Sequence, residues 1–322
     1  MPTARLRIAF WMDPLEGIAI HHDTTFALML ECQRRGHETL CFYQEDLYCL
    51  DGRASARMRS VSVRRERGRH FDVLSESDLA LEEVDVLFLR KDPPVDTAYW
   101  HATQLFELAH GGRPFFINAP SGLRDANEKL FALKLADLIP RTLVGSDLEK
   151  LRAFVQEVGH AVLKPVDGFA GRAVLQVKAG DANLNPLLEL MTVRGTQALI
   201  AQAYIPESRA GDKRIMLLDG EPLGAVLRVP EGGDPRGNLA AGAHPVKASL
   251  TAREREICER LAPELAARGL YLVGIDVIGD YLTEVNVTSP TGLVEIDALD
   301  GSSLESRVID FAERRAGAAP RQ

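Results

Sequence analysis

The sequence predicts a mixed α/β and α+β fold, with an open parallel-sheet domain first and smaller α+β units behind it. Three observations carry this reading. Residues 5–118 alternate short apolar runs with helical periodicity, the rhythm of consecutive βαβ units. After Pro120 two glycine-rich tracts, 167–172 and 231–245, punctuate strands and helices. Residues 273–291, VGIDVIGDYLTEVNVTSPT, read as two strands around a turn.

Residues 5–12 form a buried first strand that stops at Asp13-Pro14. Residues 23–36 form a helix with Asp23 as N-cap, apolar positions at Phe26, Leu28, Met29 and Leu30, and Gly36 as the stop. HETLCFY (37–43) is the second strand, and VDVLFL (84–89) is another continuous apolar one. Ligands of open parallel sheets bind beyond the carboxyl ends of strands, which makes Arg90 an anion-contact candidate, with a surface arginine beside a loop as the alternative. Residues 97–110 read as a helix and RPFFIN (113–118) as a strand. Residues 124–137 read as one helix carrying Lys129, and 146–158 as a further helix. HAVLKP (160–165) is a strand ending in Lys164, followed by the Gly168/Gly171 loop and the strand AVLQV, so that 124–205 form a small α+β unit. Arg214 and Arg228 fall on strands. The tract 231–245 has the length of a functional lid or a disordered loop, and its basic Arg236 favours the lid. Residues 251–268 form an amphipathic helix whose Cys258 reads as packing, and the C-terminal AGAAPRQ as a frayed end.

In the hairpin, Glu284 and Asn286 share a face because side chains alternate along a strand. A two-residue turn at Gly279-Asp280 would set Asp276 opposite Thr283. A three-residue turn, Gly279-Asp280-Tyr281, sets it opposite Glu284, and that is the register expected. Asp276, Glu284 and Asn286 then present oxygen to one point, as a hard cation such as Mg2+ requires; a solvated acidic hairpin is the alternative.

The bulk properties narrow the function. With 322 residues the chain has room for two or three cored domains. A net charge of -8 argues against a nucleic-acid or anionic-membrane partner. The basic run 64–70 has no interleaved aromatics and reads as a solvated loop or subunit contact. His21 and His22 read as surface histidines. Cys32, Cys41, Cys49 and Cys258 form no CxxC pair and read as buried thiols of a reducing compartment. The N-terminus lacks a signal-peptide core, and the longest apolar run, 86–89, is far too short to cross a bilayer, so the cytoplasm is expected.

A triphosphate needs cations, close backbone N–H groups and a shielding loop. Lys129 and Lys164 supply point charges, the Gly168/Gly171 loop close backbone approach, and Arg214 and Arg228 forked donors. Neither a Walker sequence nor GxGxxG occurs.

The order of motifs, from MDP (12–14) through RKDPP (90–94), LRDANEKLF (123–131), LKPVDG (163–168), AGDKR and RGNLAAG to VGIDVIGDYLTEVNVTSP (273–290), resembles the prokaryotic glutathione synthetases of the ATP-grasp superfamily. The resemblance implies an N-terminal α/β domain at 1–122, a small ATP-grasp lobe at 123–202, and a C-terminal lobe at 203–316 with a lid at 229–246. It implies ATP contacts from Lys129, Lys164, Gly168, Gly171, Gln202, Tyr204, Ile205 and Asp212. Asp276, Glu284 and Asn286 would hold one or two Mg2+ ions, with Mn2+ as a substitute. Arg214, Arg228 and the lid's Arg236 would face the transferred phosphoryl group, and Arg90, Ser289, Pro290 and Thr291 the peptide. The implied reaction joins γ-glutamylcysteine to glycine through an acyl phosphate, and the implied assembly is a homotetramer. The chain departs from the family's pattern at Ala243, His244 and Pro245, at the Gly168/Gly171 loop, and after Thr291, where an arginine is absent. A diverged ligase for another acid or amine is therefore the second expectation, and a silent nucleotide-binding regulator a third.

Overall fold

The computed structural model describes residues 5–168, 171, 173–230 and 242–318. The first sheet contains β1 (Arg7–Trp11), β2 (Glu38–Phe42), β3 (Leu47–Leu50), β4 (Arg53–Val63), β5 (Phe71–Ala80), β6 (Val86–Leu89) and β7 (Phe115–Ile117). The strands β2-β1-β6-β7 are parallel, and β4, flanked by β3 and β5, adds to β2 antiparallel. The parallel strands are buried on both faces, which is why they read as unbroken apolar runs: Ile8 and Phe10 point into one core, Ala9 and Trp11 into the other. The β4–β5 hairpin was not anticipated; most of β5 is exposed, so its burial pattern carries no alternation. The basic run lies between β4 and β5, where Arg64 pairs with Asp72 at 2.5 Å and Arg65 donates to the Ile20 carbonyl at 2.6 Å.

Helix α1 (Thr24–Arg34) begins where expected, with the Asp23 carboxylate accepting from the Phe26 N–H at 2.7 Å. Helix α2 (Thr97–Phe106) ends earlier than 110. The helix expected over 124–137 is absent. In its place stand α3 (Pro120–Asp125) and a 3-10 segment at Phe131–Leu135. The Asn127 side chain accepts from the N–H groups of Lys129 and Leu130 at 3.1 and 3.0 Å, an alternative to helical bonding that breaks the helix.

The second sheet, in order β10-β9-β11-β8, contains β8 (Thr142–Gly145), β9 (His160–Pro165), β10 (Leu175–Lys178) and β11 (Leu199–Ala203). Helices α4 (Leu148–Val158) and α5 (Leu184–Met191) cover it, and this unit closes a core of its own around Leu151, Leu163 and Leu188. The third sheet, in order β14-β13-β12-β15-β16, contains β12 (Asp212–Leu218), β13 (Glu221–Val229), β14 (His244–Lys247), β15 (Leu272–Ile278) and β16 (Tyr281–Asn286). It packs with α6 (Ala252–Ala266), α7 (Leu293–Asp300) and α8 (Leu304–Ala318), and its apolar residues extend both cores of the first sheet. Helix α6 opens with a Thr251/Glu254 capping box. Cys32, Cys41 and Cys258 are buried and Cys49 is partly exposed; burial pushes the Cys258 thiol up to about 12, as a packing residue requires.

Two polar clusters fasten the first sheet to the last. The buried Asn118 donates to the carbonyls of Leu272 (2.9 Å) and Val287 (2.7 Å), and accepts from the N–H groups of Tyr271 (2.7 Å) and Leu272 (2.8 Å). Glu31 on α1 accepts from Arg34, Arg35 and Ser306, while Arg35 reaches Asp310 on α8 at 2.6 Å. Hydrogen bonds from Arg34, then from Arg35 and Ser306, hold the Glu31 carboxyl at about 2 against the opposing effect of burial. A carboxyl held low in the fold contributes stability above its unfolded pKa and loses it as pH falls. Glu31→Gln should therefore lower the unfolding free energy by on the order of 2 kcal/mol at neutral pH. The gap from wild type, followed by urea titration, should shrink as pH drops through 4.5 and close near 2. A gap independent of pH would contradict the assignment. Asn118→Leu, which strands buried backbone groups of β15, should cost about 3 kcal/mol in the same titration.

Candidate active site

The β15–β16 hairpin sets the site. Asp276 does stand opposite Glu284, and Gly274 opposite Asn286. The means differ from expectation. The turn has two residues, since Ile278 pairs with Tyr281, and a bulge between Asp276 and Val277 supplies the missing residue. The extra residue is Thr283, whose buried hydroxyl donates to the Asp276 carbonyl at 3.0 Å. A turn length is a local preference; the bulge follows from keeping Leu282, Val285 and Val277 in the core on either side of it.

Strand pairing then places a row of charge across the sheet. Arg214 on β12 pairs with Asp276, and Asp212 with Arg228 on β13. The Arg214 guanidinium grips Asp276 through two bonds of 2.6 and 3.0 Å, and Arg228 reaches the same carboxylate at 3.0 Å. Arg228 also grips Asp212 through bonds of 2.7 and 2.6 Å. Asn286 donates to Asp276 at 3.1 Å. Burial opposes ionisation of Asp276, but Arg214 and Arg228 outweigh it and hold its carboxyl far below the usual range. A Cβ on Gly274 would lie 2.9 Å from Pro290 and 3.1 Å from Arg214, so glycine there lets the arginine cross the sheet.

The opposing wall comes from the second sheet. Lys164, Gln202, Tyr204 and Ile205 line a cleft of about 210 Å³ together with Gly171, Asp212, Arg214, Arg228, Asp276, Glu284 and Asn286. Burial, reinforced by neighbouring Lys129 and opposed by Glu284 and Asp276, pushes the Lys164 ammonium below the ordinary lysine value. The Tyr204 ring stacks on His160 at 4.0 Å. Lys129 donates to the Gly168 carbonyl and lies 4.0 Å from Glu284. Arg90 and the Ser289, Pro290 and Thr291 turn are not part of that lining. Buried Arg90 donates to the Pro290 carbonyl at 3.0 Å and Arg214 to the Thr291 carbonyl at 2.9 Å, so the turn is clamped between them. Arg236 and most of the expected lid lie outside the described residues. Pro245 sits on β14, the edge strand, opposite Arg228, where a missing N–H costs no ladder bond.

One residue that braces the candidate site escaped the sequence reading. Glu128 accepts from Val287 N–H (2.9 Å), Thr288 N–H (3.1 Å) and the Thr288 hydroxyl (2.8 Å), while its carbonyl accepts from Val285 N–H at 2.8 Å. It ties the segment bearing Lys129 to the end of the hairpin bearing Glu284 and Asn286. Its place beside Lys129 was a signal; its partners some 160 residues onward were not.

Two α+β lobes closing on a cleft, lysines on one wall and an arginine–carboxylate row on the other, define an ATP-grasp ligase fold. Solved structures agree: the D-cycloserine synthetase DcsG superposes with a TM-score of 0.67 at 16% identity, covering 96% of this chain and 99% of that one. The ATP-grasp ligase PsnB superposes at 0.64, also at 16% identity, over 96% and 99% of the two chains. The chain belongs to the prokaryotic glutathione synthetase family, whose N-terminal domain matches residues 6–124 and whose ATP-grasp domain matches residues 128–301. Relatives include the glutathione synthetase of Gloeobacter violaceus, 47% identical over 95% of this chain and 96% of that protein. That of Synechocystis sp. is 44% identical over 96% and 100%, and that of Escherichia coli O127:H6 42% identical over 96% and 98%.

If Glu128 positions Lys129, Glu128→Ala should raise the KM for ATP roughly tenfold and cost about 2 kcal/mol of stability. Initial rates and thermal melts measure both; a normal KM in a destabilised variant would reduce Glu128 to a structural tie.

Proposed function

We propose that this chain is an ATP-dependent carboxylate–amine ligase that joins γ-glutamylcysteine to glycine and releases ADP and phosphate. The carrying observation is the convergence of Lys129, Lys164, Arg214 and Arg228 on the cleft that also holds Asp276, Glu284 and Asn286. A polyanion beside carboxylates is the cargo such a cleft suits.

In this reading Lys129 and Lys164 bind the phosphates, and the Gly168/Gly171 loop brings backbone close to them. Gln202, Tyr204 and Ile205 border the adenine, and Asp212, whose carboxylate Arg228 already engages, approaches the ribose. The terminal phosphoryl group passes to the cysteinyl carboxylate, giving an acyl phosphate. Arg214 and Arg228 balance the charge that builds on it. The glycine amine then attacks the acyl carbon and phosphate departs. Arg236 and the rest of the 229–246 lid exclude water from the acyl phosphate.

Glu284 and Asn286 offer oxygens that suit a hard divalent cation, while both Asp276 oxygens are engaged by Arg214, Arg228 and Asn286. Among the described residues Glu284 has no ion-pair partner closer than Lys129, 4.0 Å away, and Asn286 turns its N–H2 to Asp276, which leaves its carbonyl oxygen available. Among the described residues no cluster of three His, Cys, Asp or Glu side chains forms a metal cage, which fits an ion that takes its remaining ligands from phosphate. Asp276, Glu284 and Asn286 would hold one or two Mg2+ ions, or Mn2+, whose charge would neutralise and orient the phosphates. We further assign the chain to the cytoplasm as a homo-oligomer, a tetramer by family resemblance; among the described residues no helix is long and apolar enough to cross a membrane.

The test is ADP release with ATP, Mg2+, γ-glutamylcysteine and glycine. Turnover only with a different acid–amine pair would select the diverged-ligase reading, and ATP binding without any turnover the regulator. Glu284→Gln should lower kcat by roughly a hundredfold or more with an unchanged melting temperature; an undiminished kcat would remove Glu284 from the site.

A further inference from the structure

Two oxygens 2.7 Å apart must have a proton between them. The Thr142 hydroxyl and the Pro140 carbonyl stand at that distance, and only the hydroxyl has a proton to give. Thr142, the first residue of β8, therefore donates to Pro140, and its Oγ1 keeps acceptor capacity alone. Gln202 on β11 is the cross-strand partner of Thr142, and one terminal atom of its amide lies 2.9 Å from Oγ1. Because Oγ1 can only accept there, that atom is the amide nitrogen, Nε2. The two ends of a glutamine amide have the same shape and opposite chemistry. Here the Thr142–Pro140 bond decides which end is which, since a flipped amide would set two acceptors against each other.

The consequence reaches the cleft. With Nε2 held by Thr142, the atom left to Gln202 is its carbonyl oxygen, Oε1. Gln202 is 7% exposed and lines the cleft with Lys164 and Tyr204. Among the described residues no donor bonds Oε1, and it is not one of the sealed, unpaired atoms of the interior, so it opens on the cleft. Its place is not adjustable, because β11 is paired on both sides, Gln202 standing opposite Thr142 on β8 and Val162 on β9. Val162, Val174 and Ile278 line the same cleft, and the Tyr204 ring is backed by His160, surfaces that suit a flat heterocycle. A fixed acceptor among such surfaces discriminates between ligands that differ by one donor, because the wrong ligand leaves it unpaired.

We infer that Thr142 is a positioning residue that sets the nucleobase preference of the cleft, by locking the Gln202 amide with its oxygen toward the base. Adenine, with an exocyclic amino group, donates to Oε1. Hypoxanthine and guanine carry an oxo group at the same ring position and set oxygen against oxygen. Gln202 touches the base and Thr142 acts through it. The Pro140 carbonyl is the third member: by taking the hydroxyl proton it denies Thr142 the option of donating to Gln202, which would let either amide orientation stand. The inference rests on the nucleotide half of the ligase reading and is independent of which acid and amine are joined.

The test is calorimetric titration of the full chain with ADP and with IDP, its hypoxanthine counterpart, each with Mg2+, which requires no turnover. Wild type should bind ADP roughly a hundredfold tighter than IDP. Thr142→Val keeps the shape and removes the acceptor, so the freed amide can offer its N–H2 to an oxo group. That variant should compress the preference by about tenfold or more. Thr142→Ser keeps the hydroxyl and should retain the wild-type preference to within about threefold. A purely structural role for Thr142 would weaken both nucleotides alike and leave their ratio unchanged. An unchanged ratio in folded Thr142→Val therefore overturns the role of Thr142, and so does an equal loss of preference in Thr142→Ser. Should Thr142→Val fail to fold, the ratio in Thr142→Ala decides in the same way. Equal affinities for ADP and IDP in wild type overturn this inference alone, with no variant needed. Binding of neither nucleotide overturns the ligase reading and this inference with it.

Discussion

The contact on which the site depends is the buried pairing of Asp276 with Arg214 and Arg228. A lone carboxylate there would be prohibitively costly, and so would either arginine. Together they are neutralised, and the network continues through Arg228 to Asp212 and through Arg214 to the Thr291 carbonyl. The third sheet therefore carries a fixed polar row over a mainly apolar face, with Val273, Ile275, Val277 and Val285 closing the core behind it. Arginine suits this role because its planar fork satisfies a carboxylate with one edge and leaves another for a backbone carbonyl.

Local irregularities put that face to use. The bulge at Asp276 and Val277 brings Glu284 into the row, and the broken helix at Asn127 brings Lys129 over it. Glu128 then locks one irregular segment to the other. These features cost regular hydrogen bonding, and each recovers it from a specific side chain: Thr283 at the bulge, Asn127 at the break. The second sheet keeps a separate core around Leu163, while the first and third share theirs. The wall bearing Lys164 is thus less tied to the rest than the arginine-bearing wall, a division that suits a cleft that must admit and release a nucleotide.

Much of this was legible in the chain. The buried parallel strands, the Asp23 cap, the helix over 251–268 and the strands β9 and β10 all follow from short-range patterns, because residue type and spacing within a few positions mark them. The exposed β5 was not legible, since a strand bearing solvent on most positions carries no apolar period. The helix expected over 124–137 failed for a different reason. Its residues have helical propensity, but Asn127 and Glu128 find better partners in the backbone and in β16 than a helix would supply.

The site divides in the same way. The kinds of residue it needs, lysines, a glycine loop, two arginines and three oxygen donors, were readable in order, because chemistry dictates side-chain type. Pairing across strands decided which of them meet: Arg214 with Asp276, Arg228 with Asp212, Arg90 with Pro290 rather than with the nucleotide cleft. Sequence alone determined the fold class and named the candidate site groups, since both rest on local pattern and residue chemistry. Only the tertiary structure decided the Glu128 clamp and the meetings of Arg90 with Pro290 and of Glu295 with His22, because these join segments some 160 to 270 residues apart, and it decided the bulge because burial in the sheet sets the register of that local hairpin.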